Sequence, residues 1–147
     1  MTSGYPFCPA ALRALALALA LSAPLDGEAC SVGTAGVAFG AYDPFAVVPH
    51  DGVGSIAVEC EAPYSVLVSG GGGQVGQRHL QGATHQLLYN LFVDAGRSVI
   101  WGDGSGGTST VSAAAGTRTH VIYGRIPARQ NVSAGAYSDS LIITVNF

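Results

Sequence analysis

Along most of the chain, apolar and polar residues alternate with the period of two that places successive side chains on opposite faces of a strand. The last eleven residues, YSDSLIITVNF, put Tyr137, Leu141, Ile143, Val145 and Phe147 on one face. Ser138, Ser140, Thr144 and Asn146 take the other face. Similar runs predict strands over 36–42, 53–60, 64–70, 86–93 and 119–126, with shorter pieces at 99–101 and 108–112. In VGSIAVEC the alternation runs through Ile56, Val58 and Cys60, so that cysteine faces inward. QLLYNLFV is apolar on both faces, as a central strand of a sandwich is. No segment holds ten residues of helical periodicity. Six main strands with glycine-rich connections predict an all-β chain, an immunoglobulin-like sandwich. A complete sandwich of that kind has seven strands or more. The count is one short at the C-terminus, so the expected fold is incomplete and lacks its last strand.

The first residues follow a different pattern. MTSGYPFCPAALRALALALALSA carries one positive charge, Arg13, followed by an apolar run that fits a secretory signal and is too short to span a membrane. Gly27 and Ala29 are small residues at the −3 and −1 positions of a cut before Cys30. The expected organisation is a signal over 1–29 and one domain over 30–147, with no membrane span once the signal is removed. A lipid-anchored Cys30 is the rival reading. It is weakened by Glu28, which stands where a small apolar residue is wanted, and by the lack of a leucine three residues before the cysteine. Cleavage removes Cys8 and leaves Cys30 and Cys60, which in an exported chain most simply form one disulfide. Two lone cysteines are too few for a zinc site.

From Cys30 onward there are five Arg, no Lys and seven Asp plus Glu, a net charge of −2. Without a basic patch to neutralise phosphates, nucleic acid is not an expected partner. The 21 glycines cluster between apolar runs, and the motifs they create have plain readings as turns. Gly71, Gly73 and Gly76 spell G-x-G-x-x-G, yet QRHLQGATHQL supplies no helix to hold a pyrophosphate. GDGSGG, 102–107, is close to a serine-protease nucleophile motif. Its extra glycine and the short chain make a loop with Asp103 capping its own backbone the better account. His50, His79, His85 and His120 are scattered, with no i, i+4 pair, so no metal is expected. Asn131-Val132-Ser133 matches the glycosylation acceptor pattern, a common chance match. No pair of carboxylates is placed for acid–base work, so no catalytic residues and no cofactor are expected.

Several segments together carry a family resemblance. They are CSVGTAGVAFGAYDPF, SIAVEC ending on Cys60, YSVLVSGGGG, LLYNLFVDAGRSVIWGDGSGGTSTV and VIYGRIPARQNVSAGAYSDSLIITVNF. With these the chain resembles, over essentially all of 30–147, the spore coat protein U domain family, which is also the subunit domain of archaic (Csu-type) chaperone–usher pili. The resemblance implies an immunoglobulin-like fold whose missing strand is supplied in trans, first by a periplasmic pilus chaperone and then by another pilus subunit, with assembly at an outer-membrane usher. It also implies a disulfide between Cys30 and Cys60 and an acceptor groove whose wall is Tyr137, Leu141, Ile143, Val145 and Phe147. The expected route is export through the inner membrane to the periplasm and then to the cell surface.

One feature departs from that family pattern. Polymerising subunits carry a donor segment before the first cysteine, and a cut after Ala29 leaves none, while a cut after Ala23 leaves only PLDGEA. ALALALAL alternates but reads as the hydrophobic part of the signal. The expectation is a structural subunit that accepts a strand and gives none, at a terminal position such as the tip or as a minor subunit. A second reading is an adhesin or lectin-like surface-binding module that uses the loops 70–76 and 102–107 with Trp101 and Asp103, although Trp101 taken by itself reads as a core anchor before it reads as a sugar platform. The third, a hydrolase built on Asp103 and Ser105, stands for contrast.

Overall fold

The computed structural model describes residues 27, 29–33 and 36–147. The expected signal, 1–29, lies outside the described residues apart from 27 and 29. There is no helix among the described residues, and so none long and apolar enough to cross a membrane. The strands are β1 (Cys30–Val32), β2 (Gly36–Ala38), β3 (His50–Cys60), β4 (Tyr64–Val68), β5 (Arg78–Gln81), β6 (Gln86–Phe92), β7 (Val111–Ala113), β8 (Gly116–Ile126) and β9 (Ile143–Asn146). One sheet runs β1-β3-β8-β6-β5, with β2 on the same edge of β3 as β1. The other runs β7-β4-β9, and every strand pair in both sheets is antiparallel.

This is an all-β, immunoglobulin-like sandwich, as the alternation implied. β3 and β8 form its spine, paired residue for residue from His50 opposite Ile126 to Cys60 opposite Gly116. Their inner faces contribute Ile56, Val58, Ile122 and Ile126 to the core; β6 adds Leu87, Tyr89 and Leu91, and β4 adds Tyr64, Val66 and Val68. The small residues of β1 lie directly across from the end of β3, and Cys30 pairs with Cys60 at a Cα separation of 4.2 Å, where the disulfide forms. Closing that 30-residue loop stabilises the fold by about 3 to 4 kcal/mol in the chain-entropy picture.

The strands differ from the expected spans in several places. β3 and β8 begin three residues earlier than the alternation suggested, because each extends along the full length of the other. β5 was not expected at all. Its sequence, RHLQ, buries an arginine where a strand normally buries a hydrophobe. The segment 99–101 makes only single bridges, Ile100 to Phe92 and Trp101 to Ser109. The final strand is shorter than 137–147 because Ser138 bridges to Gln81 of one sheet while Ile143 pairs with Val68 of the other. Residues 139–142 therefore cross between the sheets, with only β9 in a ladder. Phe147, expected on the inward face, lies past the end of β9 and is 59% exposed.

Candidate functional site: an apolar groove between the sheets

β9 pairs with β4 on one side and has no strand on its other side among the described residues. In an immunoglobulin sandwich this is where the last strand of the fold would lie. Beside that edge the two sheets part into a groove of about 780 Å³. Its floor is core: Ile56, Val68, Leu87, Leu91, Ile122 and Ile126. One rim carries Tyr137, Leu141 and Ile143, and the other carries Val37, Phe39 and Tyr42.

The sequence builds the second rim with glycine. Gly52 and Gly124 lie directly opposite one another in the β3–β8 ladder and leave a bare patch on the inner face. The Phe39 ring rests on that patch. A Cβ on Gly52 would stand 2.8 Å from the ring, and one on Gly124 would stand 2.6 Å from it, both well inside normal contact. Phe39 also meets Tyr89 edge-on, with centroids 5.8 Å apart. The chain then turns through Gly40 at φ 74°, a conformation glycine adopts without strain. Beyond it the Tyr42 hydroxyl donates to Pro127 O at 3.0 Å and accepts from Gln130 N at 2.9 Å, fixing the rim to the far end of β8.

The first rim is held by Asp139. Its carboxylate accepts from the Tyr89 hydroxyl at 2.8 Å, from Gly72 N at 3.1 Å and from Ser140 N at 2.8 Å. This explains the glycine run. Gly71 has φ 60°, and any Cβ there would run into the Asp139 carboxylate. The Tyr89 hydroxyl is pushed well above the ordinary tyrosine range, first by burial and then by its hydrogen bond to Asp139, so it stays protonated as the donor.

Beneath this junction lies Arg78, fully buried. Nε donates to Ser69 O at 2.9 Å, Nη1 to Asn90 Oδ1 at 2.7 Å, and Nη2 to Val68 O at 3.1 Å and Trp101 O at 2.7 Å. Burial lowers its pKa from the usual arginine value, though arginine keeps its charge in proteins. One side chain thus ties β5 and β6 of one sheet to the end of β4 in the other. The groove keeps its shape at this end because the sheets cannot slide apart here.

Of the residues expected to form the groove wall, Tyr137, Leu141 and Ile143 line it, and Val145 packs against the core further along β9. Phe147 is not among the lining residues. Trp101 is completely buried and its indole N–H donates to Val66 O at 3.0 Å, so its reading as a core anchor holds and the structure corrects only its place in the surface-binding alternative, since it cannot serve a binding surface. Asp103 is exposed, but its carboxylate is engaged by Ser105, accepting from the backbone N–H at 2.9 Å and from the hydroxyl at 2.6 Å. Those bonds hold its pKa below the usual carboxylate value. The opposite rim, Val37, Phe39 and Tyr42, was not singled out from sequence. The signal available was the spacing of Val37 and Phe39 together with the unusual glycines at 52 and 124.

Comparison with known proteins places these features in context. The family model described as Spore Coat Protein U domain matches residues 16–144, beginning inside the segment read as a leader. Protein U of Myxococcus xanthus is 32% identical over 142 aligned positions, covering 82% of this chain and 79% of that protein. Among solved structures, a chain in the CsuC-CsuE chaperone–tip adhesion subunit pre-assembly complex, from the archaic chaperone-usher Csu pili of Acinetobacter baumannii, superposes with a TM-score of 0.61 at 23% identity. That match covers 82% of this chain and spans 40% of the solved chain, and it speaks to fold.

Proposed function

Because the chain belongs to the Spore Coat Protein U domain family, we propose that it is an exported structural subunit of a pilus or surface coat, with no catalytic role, whose groove receives a β-strand from another polypeptide. The observation that carries this reading is the conjunction of an unpartnered β9 edge and an apolar groove that opens along it. Strand addition satisfies both at once: the backbone of the donor pairs with β9, and its alternate side chains enter the groove. Four or five such side chains, each contributing about 1.5 to 3 kcal/mol, supply on the order of 6 to 15 kcal/mol before ordering costs. Tyr137, Leu141, Ile143 and Val145 form the β9-side wall in this reading, and Val37 and Phe39 the wall across from it. The first donor is a periplasmic chaperone; at an outer-membrane usher it gives way to a strand from another subunit. The Csu complex, which pairs a chaperone with a tip adhesion subunit, supports this assignment by analogy.

The test is to express the chain with and without a periplasmic chaperone of the chaperone–usher type from the same cells. The expected result is a soluble, stoichiometric complex with the chaperone and aggregation or degradation without it, because an empty groove is an exposed apolar edge. Recovery of the chain alone as a monomer with a cooperative melt, unchanged by the chaperone, would refute the reading. A terminal placement, with an adhesive role, is the finer form of the same proposal. Immunogold labelling confined to fibre ends supports it, and labelling along the whole fibre rules it out.

A further inference from the structure

The loop joining β2 to β3 exposes more apolar surface than its own fold requires. Phe45, Val47 and Val48 are 87, 68 and 64% exposed, three large hydrophobes within four residues. The loop is nonetheless tightly built. Asp43 accepts from Phe45 N through its carboxylate at 2.9 Å and from Ala46 N through its carbonyl at 3.2 Å. Tyr42 anchors the start of the loop to Pro127 and Gln130, and the His50 ring hydrogen-bonds Phe39 O at its exit. A fixed loop presenting contiguous apolar side chains is a feature of an interaction surface.

Its position identifies the occupant. Tyr42 and Pro44, at the base of the loop, are themselves part of the groove lining, so the apolar surface continues from the groove onto the loop. β3 starts at His50 and β4 ends at Val68, at the same pole of the sandwich, because only residues 61–63 separate the two strands at the other pole. β9 begins at Ile143, directly opposite Val68. A strand inserted along β9 in the antiparallel sense used by every other pair here therefore runs toward Ile143. It leaves the groove at the pole where Phe45 stands. Whatever follows that strand in its own chain emerges against the loop.

We propose that Phe45, Val47 and Val48 dock the folded body of the subunit whose strand fills the groove, a neighbour of this same sandwich type bearing an apolar contact patch. The inference rests on the strand-acceptance reading above. It adds a second contact, made by the donor's domain and not by its strand. The loop then fixes the angle between neighbours as well as adding to their affinity.

The test is the double variant Phe45→Ser/Val48→Ser, made in the producing cells with all native assembly partners present. Two quantities are measured: the amount recovered bound to the chaperone, and the amount in fibres sheared from the cell surface. Both side chains are exposed, so the variant folds, and Phe45→Leu serves as the conservative control. The expected result is an unchanged chaperone complex with fibre incorporation reduced on the order of tenfold, largely restored by Phe45→Leu. Unchanged incorporation would overturn the proposal. So would a parallel fall in the chaperone complex, which would place the effect in the groove or in folding, and so would loss of attachment to apolar surfaces with assembly intact, which would make the loop adhesive. If the wild-type chain forms no chaperone complex, strand acceptance itself fails and this proposal falls with it.

Discussion

Arg78→Met is the substitution whose consequence follows most directly from the structure. Methionine fills most of the same space but donates nothing, so Ser69 O, Val68 O, Trp101 O and Asn90 Oδ1 lose a donor in a region closed to water. A hydrogen bond from a charged donor contributes about 1.5 to 3 kcal/mol, and an acceptor left unsatisfied inside costs about 1 to 3 kcal/mol. Removing a buried cation returns part of that, since burying the guanidinium was itself costly. The three effects leave a net loss of about 3 to 5 kcal/mol, a large share of the roughly 5 to 15 kcal/mol that holds a domain folded. For a domain of this size the melting temperature should fall by roughly 10 to 25 °C. The assay is thermal unfolding of wild type and variant purified in the same form, followed by near-UV circular dichroism, because Trp101 reports on the same junction. Arg78→Lys should recover less than half of the loss, since an ammonium cannot reach four acceptors in the geometry of the fork. A variant within about 1 kcal/mol of wild type would show that the buried network is not what locks the sheets together.

Other consequences can be checked in the same preparation. Gly124→Val drives a side chain into the Phe39 ring and should cost about 1 to 3 kcal/mol by overpacking; the cost should shrink when Phe39→Ala is present, and additive effects would contradict the contact. The folded-state pKa of Tyr89 is raised, so its contribution is fully present below pH 10 and is lost as pH rises above that value toward the folded pKa. Urea titrations between about pH 9 and 11.5 should therefore show a falling alkaline branch, and that branch should flatten in Tyr89→Phe. The folded pKa of His120 is lowered, first by burial and then by Arg118, so the neutral ring is favoured and stability declines as pH falls through about 6.5. His120→Gln should remove that slope, and an unchanged slope would place the titration elsewhere. Replacing Cys30 and Cys60 together by serine should cost about 3 to 4 kcal/mol, read from the shift in urea midpoint.

The fold class was legible because alternation is a backbone property: β3, β4 and β8 each keep buried residues at every second position over several turns of the pleat. The groove was half legible. Tyr137, Leu141 and Ile143 announced themselves by spacing, but the pattern could not say that the strand would switch sheets at Asp139. That switch depends on a carboxylate meeting Tyr89 and Gly72, residues 50 and 67 positions away. Arg78 was illegible for the same reason. A single arginine next to a glycine run looks like a loop until three carbonyls from two distant segments converge on it. Trp101 was ambiguous until its N–H found Val66 O. In each case the missing information was long-range pairing of polar groups, which periodicity does not encode.

The position of the open edge follows from how the other edges are closed. Exposed strand edges invite pairing with other chains, so a sandwich normally blunts them. Here β7 is three residues long, and the edge of β3 carries two three-residue strands, β1 and β2, the first of them clamped by the disulfide. β5 is met by Ser138, which exchanges both backbone hydrogen bonds with Gln81 at 2.7 and 3.1 Å. Immediately afterwards Asp139 turns the chain across to the other sheet, where Ile142 and Ser69 join and β9 begins. The segment that closes the edge of the first sheet is thus the one that creates the unpartnered edge of the second. Lengthening β9 backward would require Asp139 to give up Tyr89 and Gly72, and Ser138 to leave β5. The open edge is therefore held in place by the same polar contacts that seal its neighbour.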